Sequence, residues 1–316
     1  MSQQQLLQPI DDAFPDFFFV RGQNDARYPN SHSLLIQTKD NPREALLIDA
    51  GVGRHTLLNI LPTTNITKVW LSHWHEDHSY GCTILRQKGA TIACHPDDIP
   101  VLRDASLINK MYITGGTPIG KYFAAVLESL GIEDLPVVDP LESGQAYNVG
   151  NDHRIQVIHT PGHTKGHCCF YLPEARLLFL ADIDLSAIGP WYGALDSNVD
   201  DFEQSIQSVM ALNAEIAISS HMGLFKGASE IKTRLQQYLN IIYDRDRLIL
   251  EALGEKTPKT AQNLVGKQIV YKKYTVKVKE WRDYLFIAER FMIDLHFARL
   301  LKRGRIIKEG AGYVAQ

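Results

Sequence analysis

Apolar and polar positions alternate over short runs through the first 220 or so residues of the chain and settle into a longer period beyond them. FFFV (17–20), SLLIQ (33–37), EALLIDAG (44–51) and NITKVWLSH (65–73) are apolar runs of strand length, broken by Asn, Pro and Asp. SYGCTILRQKG (79–89) changes to a spacing of three to four and closes on glycine, which predicts a helix. TIACHP (91–96) returns to the strand pattern, so these three segments read as a βαβ-like unit. Residues 97–131 predict helix, with Val101, Leu102, Ala105, Leu107 and Ile108 grouped on one side. RIQVIHT (154–160), CCFYL (168–172) and RLLFLADI (176–183) predict strands, the last two joined as a hairpin through Pro173, Glu174 and Ala175. A helix over 199–213 then leads into the strand EIAISSH (215–221).

This order of elements fits an α/β protein in which two sheets and their helices form a four-layer αββα sandwich. Past Gly227 the pattern changes. Residues 229–253 predict a long amphipathic helix, 260–265 a short one and 281–303 a second long one, and 304–315 read as a hairpin turned by Gly-Ala-Gly. The predicted division is therefore a large domain over 1–228 and a small, mainly helical one over 229–316. Charge marks the same boundary: residues 230–316 carry 18 Lys and Arg against 10 Asp and Glu, a formal +8, inside a chain whose net charge is −3. Solvated helix faces explain such an excess better than contact with nucleic acid, which is disfavoured but left open.

Composition narrows the class. With 45% hydrophobic and 22% charged residues the chain has ordinary globular usage, which excludes wholesale disorder. No run approaches the roughly 18 apolar residues of a membrane span. The opening MSQQQLLQPIDDAFPDFFFVRG lacks the basic start and small-residue cleavage site of a secretory leader. Cys82, Cys94, Cys168 and Cys169 form neither a disulfide framework nor a zinc knuckle, which points to a reducing, cytoplasmic setting. Gly115 to Lys121 satisfies the GxxxxGK part of a phosphate-binding loop, but Tyr122 stands where the magnesium-holding hydroxyl belongs, so the stretch reads as a loop between two helices.

The informative stretch is Leu71-Ser-His-Trp-His-Glu-Asp-His-Ser-Tyr-Gly81. His73, His75, Asp77 and His78 fall within six residues, directly after an apolar strand. His73 and His75, two apart, can project at one cation, while Asp77 and His78, being adjacent, point apart and can serve a second. Imidazole and carboxylate ligands without thiolate suit zinc, iron or manganese. His163 follows the strand 154–160, Asp182 ends LLFLAD and His221 ends AISSH. Four strands thus each deliver a His or Asp at the C-terminal end, where α/β proteins build sites.

HWHEDH, HTPGHT, the Asp182 strand and the His221 strand, in this order, resemble the metallo-beta-lactamase superfamily over roughly residues 15–225, and Asp49 in LLIDAG matches its first motif. The resemblance implies the metallo-beta-lactamase sandwich and two divalent transition-metal ions, most simply zinc, with iron or manganese as alternatives. It implies that His73, His75 and His163 bind the first metal, that Asp77, His78 and His221 bind the second, and that Asp182 bridges both. Asp49 would orient a ligand from behind, as would His167, with substrate binding the alternative for His167. Main-group zinc beta-lactamases carry a Cys near the bridging position; Asp182 there is the pattern of thioester, lactone, phosphodiester and RNA hydrolases. The last motif is Ser-Ser-His-Met-Gly where Pro-Gly-His-Gly is commoner, which keeps the ligand.

Such a pair of cations implies hydroxide at neutral pH, with Asp77 as the catalytic carboxylate that holds it and accepts its proton. The expected activity is hydrolysis of a small ester, thioester or lactone. A metal-dependent endoribonuclease using the basic tail is the first alternative, and a single-iron dioxygenase of the persulfide type the second. Trp191 and Tyr192, in a Gly- and Pro-framed loop just past Asp182, are candidates for the substrate pocket, as are Trp74 and Tyr80 inside the metal motif. The tail resembles the winged-helix-like appendage of some superfamily members; covering the active-site mouth or forming a homodimer are further roles open to it. Glyoxalase II also has a helical C-terminal domain, but its glutathione-binding pattern is not found here.

Overall fold

The computed structural model describes residues 6–37, 44–149, 153–254, 257–273 and 277–316. In chain order the first layer group comprises β1 (Leu7–Asp11), β2 (Phe14–Val20), β3 (Ser33–Gln37), β4 (Glu44–Ile48), α1 (Arg54–Ile60), β5 (Asn65–Trp70), α2 (Glu76–Ser79), α3 (Cys82–Gln87) and β6 (Thr91–Cys94). Next come α4 (Ile99–Arg103), α5 (Ile108–Met111), α6 (Pro118–Leu130), β7 (Asp139–Pro140), β8 (Ala146–Val149), β9 (His153–His159), β10 (Cys168–Leu172) and β11 (Leu177–Ala181). The chain continues through α7 (Val199–Ala211), β12 (Ile216–Ser219), β13 (Gly223–Lys226), α8 (Ala228–Leu253), α9 (Ala261–Leu264), α10 (Lys279–Lys302), β14 (Ile306–Glu309) and β15 (Gly312–Ala315).

Strands β1 to β7 form one seven-stranded sheet in sequential order, and β13-β12-β11-β10-β9-β8 form a second of six. Side chains alternate across the first sheet as a two-residue period requires. Leu34, Ile36, Leu46 and Ile48 join the core between the sheets, where they meet Val157, Phe170, Phe179 and Ile218 of the second. Leu35 and Leu47 face the other way, onto Leu57, Leu85 and Phe123 of α1, α3 and α6. On the far side, Leu178, Leu180 and Ala217 back onto Phe202, Ile206 and Val209 of α7. Helix, sheet, sheet, helix is the four-layer order, and the expected architecture holds. The expected hairpin pairs Phe170 with Phe179 and Leu172 with Leu177, and Arg176 takes φ 47° to close its turn.

Several elements differ from expectation. Residues 97–131 are not continuous helix: the Asp104 side chain accepts from Ser106 N and restarts the backbone, and residues 112–117 separate α5 from α6. Thr117 caps α6 by accepting from Gly120 N at 3.1 Å, and Pro118 stands in its first turn, so Gly120 and Lys121 are helical and only the front of the GxxxxGK stretch is loop. β1, α1, β8 and β13 were not expected. Each is short, and the three strands among them gain their stability from a neighbour: β1 pairs with β2, β8 with β9 and β13 with β12.

The C-terminal helices follow the expected order, ending in the β14–β15 hairpin. Leu235, Leu239 and Ile242 of α8 and Met292, Ile293 and Phe297 of α10 share one core with α7 and the outer face of the second sheet. A buried ionic cluster reinforces that contact. Arg299 Nε donates to Asp246 Oδ2 at 2.8 Å, and the same guanidinium meets Asp200 and Glu203 of α7. None of the described helices is long and apolar enough to cross a membrane. Arg299→Ala would remove the buried cation that joins Asp246 to Asp200 and Glu203, leaving the first with His296 and the other two with Arg303; a loss of about 3 kcal/mol is expected, read as a lower denaturant midpoint. A midpoint equal to the parent's would show that the cluster does not anchor α10.

Candidate metal centre

The strands deliver their functional residues just past their C-terminal ends. β4 ends before Asp49, β5 before His73, β9 before His163, β11 before Asp182 and β12 before His221. Asp49 at φ 61° and Ala181 at φ 48° bend the backbone sharply, strain that clusters at functional sites.

Two groups of ligand-type atoms result, His73 with His75, His163 and Asp182, and Asp77 with His78 and His221. His73 Nε2 lies 2.9 Å from His75 Nδ1 and 3.2 Å from His163 Nε2, and His75 Nδ1 lies 2.9 Å from His163 Nε2. The Asp182 carboxylate stands between the groups: Oδ2 is 3.1 Å from His163 Nε2, and Oδ1 is 3.1 Å from His78 Nε2 and 3.4 Å from His221 Nε2. Asp77 Oδ2 is 3.5 Å from His221 Nε2. All seven expected ligand positions therefore converge.

The far side of each ring explains which nitrogen faces inward. His73 Nδ1 donates to Ser72 Oγ, His78 Nδ1 to Asp49 Oδ2, His163 Nδ1 to Trp191 O and His221 Nδ1 to Ala26 O, all at 2.8–2.9 Å. Each of these imidazoles then turns its Nε2 into the site. Asp49 also accepts from Ser72 N and Ser72 Oγ at 2.8 Å each, so one buried carboxylate fixes two of the rings. Burial holds His73 and His75 well below the ordinary imidazole pKa. Burial acts the same way on His221, but the Asp182 and Asp77 carboxylates outweigh it and raise its pKa to about 9. The inward-facing nitrogens of His73, His75 and His163 in a dry pocket, with the Asp182 carboxylate beside them, fit a donor set built for cations.

His167 is not a member of either group. Its Nε2 accepts from the Asp182 backbone N–H at 3.2 Å and its Nδ1 is engaged by Thr160, so it holds the turn that carries Asp182. Asp98, which sequence reasoning missed, is fully buried and ties two ligand loops together. It accepts from Trp74 N at 3.1 Å, Thr164 Oγ1 at 2.8 Å and Gly166 N at 2.7 Å. A third group, His95, Asp97 and His159, lies nearer the surface. There Lys165 Nζ already occupies Asp97 Oδ1 and His159 Nε2 already donates to Lys165 O.

A cavity of about 240 Å³ opens above the two groups. Its polar end is formed by His75, Asp77, His163 and Asp182, and Trp191 lines it. Tyr192, Trp74 and Tyr80 do not. Tyr192 is buried behind the loop, receiving Arg245 Nη1 at 2.8 Å and pairing with His296. Trp74 is buried beneath His75 with its indole N–H on Asp196, and Tyr80 turns its hydroxyl to Asn30 Oδ1. The aromatic wall comes from residues not singled out in the sequence: Tyr28, Tyr112, Phe123, and Trp281 and Tyr284 of α10. Glu76 accepts from Tyr28 and Tyr112 hydroxyls at 2.6 Å each, which accounts for the burial of this acid inside the motif.

The model of the metallo-beta-lactamase superfamily matches residues 27–221. The chain belongs to this superfamily. An atrochrysone carboxyl ACP thioesterase of Cryptosporiopsis sp. (strain 8999) is 24% identical over 257 residues, 79% of this chain and 66% of that protein. The chain spans between half and two thirds of the length of such curated relatives. Among solved structures, a metallo-beta-lactamase family protein from Thermus thermophilus superposes with a TM-score of 0.73 at 21% identity, covering 96% of this chain and all of that one. A protein crystallised in a di-iron-bound form superposes with a TM-score of 0.51 at 25% identity, covering 66% of this chain and 95% of that one.

Gly51 packs directly behind Asp77, and a Cβ there would lie 1.5 Å from the Asp77 carbonyl oxygen and 2.4 Å from Ser31 Oγ. Gly51→Ala is expected to cost about 1–3 kcal/mol of stability through overpacking, measured by denaturant unfolding. An unchanged midpoint would show that the Asp77 turn is free to move.

Proposed function

We propose that this chain is a dinuclear metal-dependent hydrolase of small ester, thioester or lactone substrates, with thioesters foremost. The observation that carries the reading is the division of Asp182, one carboxylate oxygen toward His163 and the other toward His78 and His221. In this reading His73, His75 and His163 hold one cation, Asp77, His78 and His221 hold the other, and Asp182 serves both. Zinc suits the donors, and iron has a precedent in the di-iron form of the 25%-identical structure. The thioester preference draws on the thioesterase name of the Cryptosporiopsis relative.

When bound, such cations supply a deprotonated water at neutral pH and polarise the substrate's reacting carbonyl. The chain's own residues do the rest. Asp77 lines the cavity and is the carboxylate placed to take a proton from the attacking water. Asp49 keeps the His78 and His73 rings turned inward, and the Trp191 carbonyl does the same for His163.

The endoribonuclease alternative loses support from the fate of the tail's charge. Arg245 is buried against the carbonyls of Ile188 and Pro190, and Arg299 and Arg303 pair with Asp200 and Glu203. Arg245 and Arg299 are thereby buried and withheld from a phosphate backbone, and Arg303, though exposed, is engaged by two acids.

Purified protein is expected to hold about two transition-metal ions per chain, both released by chelators or by acid, since imidazole binds metal only when deprotonated. One tightly held iron together with a requirement for O₂ would overturn the hydrolase reading. Asp182→Ala is expected to lose one of the two ions by elemental analysis and to reduce thioester hydrolysis by ~100-fold or more, with the apolar β11 strand keeping the fold intact. Activity within a few-fold of the parent would remove the bridging role.

A further inference from the structure

Resting on that hydrolase reading, we propose that the chamber above the metal-site residues binds a flat aromatic acyl group of one or two rings, and that Trp281 is the residue that selects it. The chamber's size, its walls and its polarity converge on this ligand. At about 240 Å³ it exceeds the engineered apolar cavity of ~150 Å³ that takes up benzene.

The walls are rings pinned by one another. Phe123 meets Trp281 with centroids 4.8 Å apart and Tyr284 at 4.9 Å, and Tyr112 meets Tyr284 at 5.6 Å. Tyr28 closes on the other side of Trp281 at 4.7 Å and an interplanar angle of 74°. Edge-to-face contacts of this kind hold the rings in place and leave π surfaces for a guest to stack or abut. Such walls reward a planar group, whereas a flexible alkyl chain would lose rotamer freedom on entry.

Polarity sets the direction of binding. Both carboxylate oxygens of Glu76 are covered by the hydroxyls of Tyr28 and Tyr112, so this acid does not face the guest as an open charge. The ligand-type groups among the lining residues, His75, Asp77, His163 and Asp182, form the polar end, and the one other buried polar side-chain atom without a partner there, among the described residues, is the Tyr284 hydroxyl of the wall itself. A ring seated among the aromatics therefore places an attached carbonyl at the metal-site end. Trp281 stands in the first turn of α10 and touches both Tyr28 and Phe123, so it completes the wall that the catalytic sheets leave open. Its ring partners Tyr28, Phe123 and Tyr284 are aromatics of the wall and not ligand-type residues of the centre, which makes it a specificity determinant and not part of the reacting machinery.

The test uses the full-length, metal-loaded protein and separates binding from turnover. Equilibrium binding of 2-naphthoate and octanoate is measured by calorimetry, and hydrolysis is measured with the 2-naphthoyl and octanoyl thioesters of N-acetylcysteamine. The parent is expected to prefer 2-naphthoate by about tenfold. Trp281→Ala should erase that preference and raise KM for the naphthoyl thioester by a similar factor with kcat within a few-fold, while Trp281→Phe should retain most of it. Equal binding of the two acids, or a preference that survives Trp281→Ala, would overturn the assignment. If the ring preference holds but neither thioester is cleaved, the chamber stands and the hydrolase reading falls. Cleavage of both without ring preference would give the reverse result.

Discussion

Three imidazole nitrogens that approach within 3.2 Å of one another in a dry pocket are the constraint on which this protein is built. Lone pairs do not gather in this way unless something compels them. The compulsion comes from the opposite side of the rings, where Ser72 and the Trp191 carbonyl take the remaining N–H groups of His73 and His163. The strained turn at Asp49 and the buried carboxylate of Asp98 then hold the loops that carry these residues. The arrangement stores unfavourable electrostatics that a bound cation would relieve, so folding energy is used to preorganise a site.

Neither sheet could build this alone. The first supplies Asp49, His73, His75, Asp77 and His78 from beyond β4 and β5, and the second supplies His163, Asp182 and His221 from beyond β9, β11 and β12. The apolar layer between them, from Leu34 and Ile48 to Phe179 and Ile218, fixes the distance at which the two sets face each other. Close packing of that layer makes the separation rigid, since interiors at crystal-like density deform little. The metal-site geometry is thus a consequence of core packing as much as of local loop conformation.

The same division explains what the sequence disclosed. Strands such as SLLIQ and RLLFLAD announce themselves because their period is local, and the ligands follow because each stands directly after such a strand. Short elements such as β1 and β13 carry no such period and exist only through a pairing partner. Asp98 carried no signal inside the predicted helix 97–131, since its three donors come from residues 24 to 68 positions away. Glu76 was passed over for a similar reason, its partners Tyr28 and Tyr112 being 48 and 36 residues distant. Aromatic residues next to the ligands in sequence were the natural candidates for a pocket, yet Tyr192, Trp74 and Tyr80 turn into the core. A strand-end loop sends successive side chains to opposite sides, so adjacency to a ligand says little about adjacency to its substrate.

The C-terminal helices belong in this account as a wall and a brace. Their basic composition suggested an outward role, but the charges that matter are directed inward. Arg299 bridges Asp246 to the acids of α7, His296 links Asp246 to Tyr192, and Arg245 grips the carbonyls of Ile188 and Pro190. The carbonyl of Trp191, the residue between Pro190 and Tyr192, receives the His163 N–H. A continuous set of contacts therefore runs from α7 and α10 through a buried arginine to the backbone that orients a candidate ligand. The same helix α10 sends Trp281 and Tyr284 over the cavity. Charge that braces a loop and rings that roof a chamber are two uses of one packed surface, and both would be lost if these helices swung out to meet a polymer.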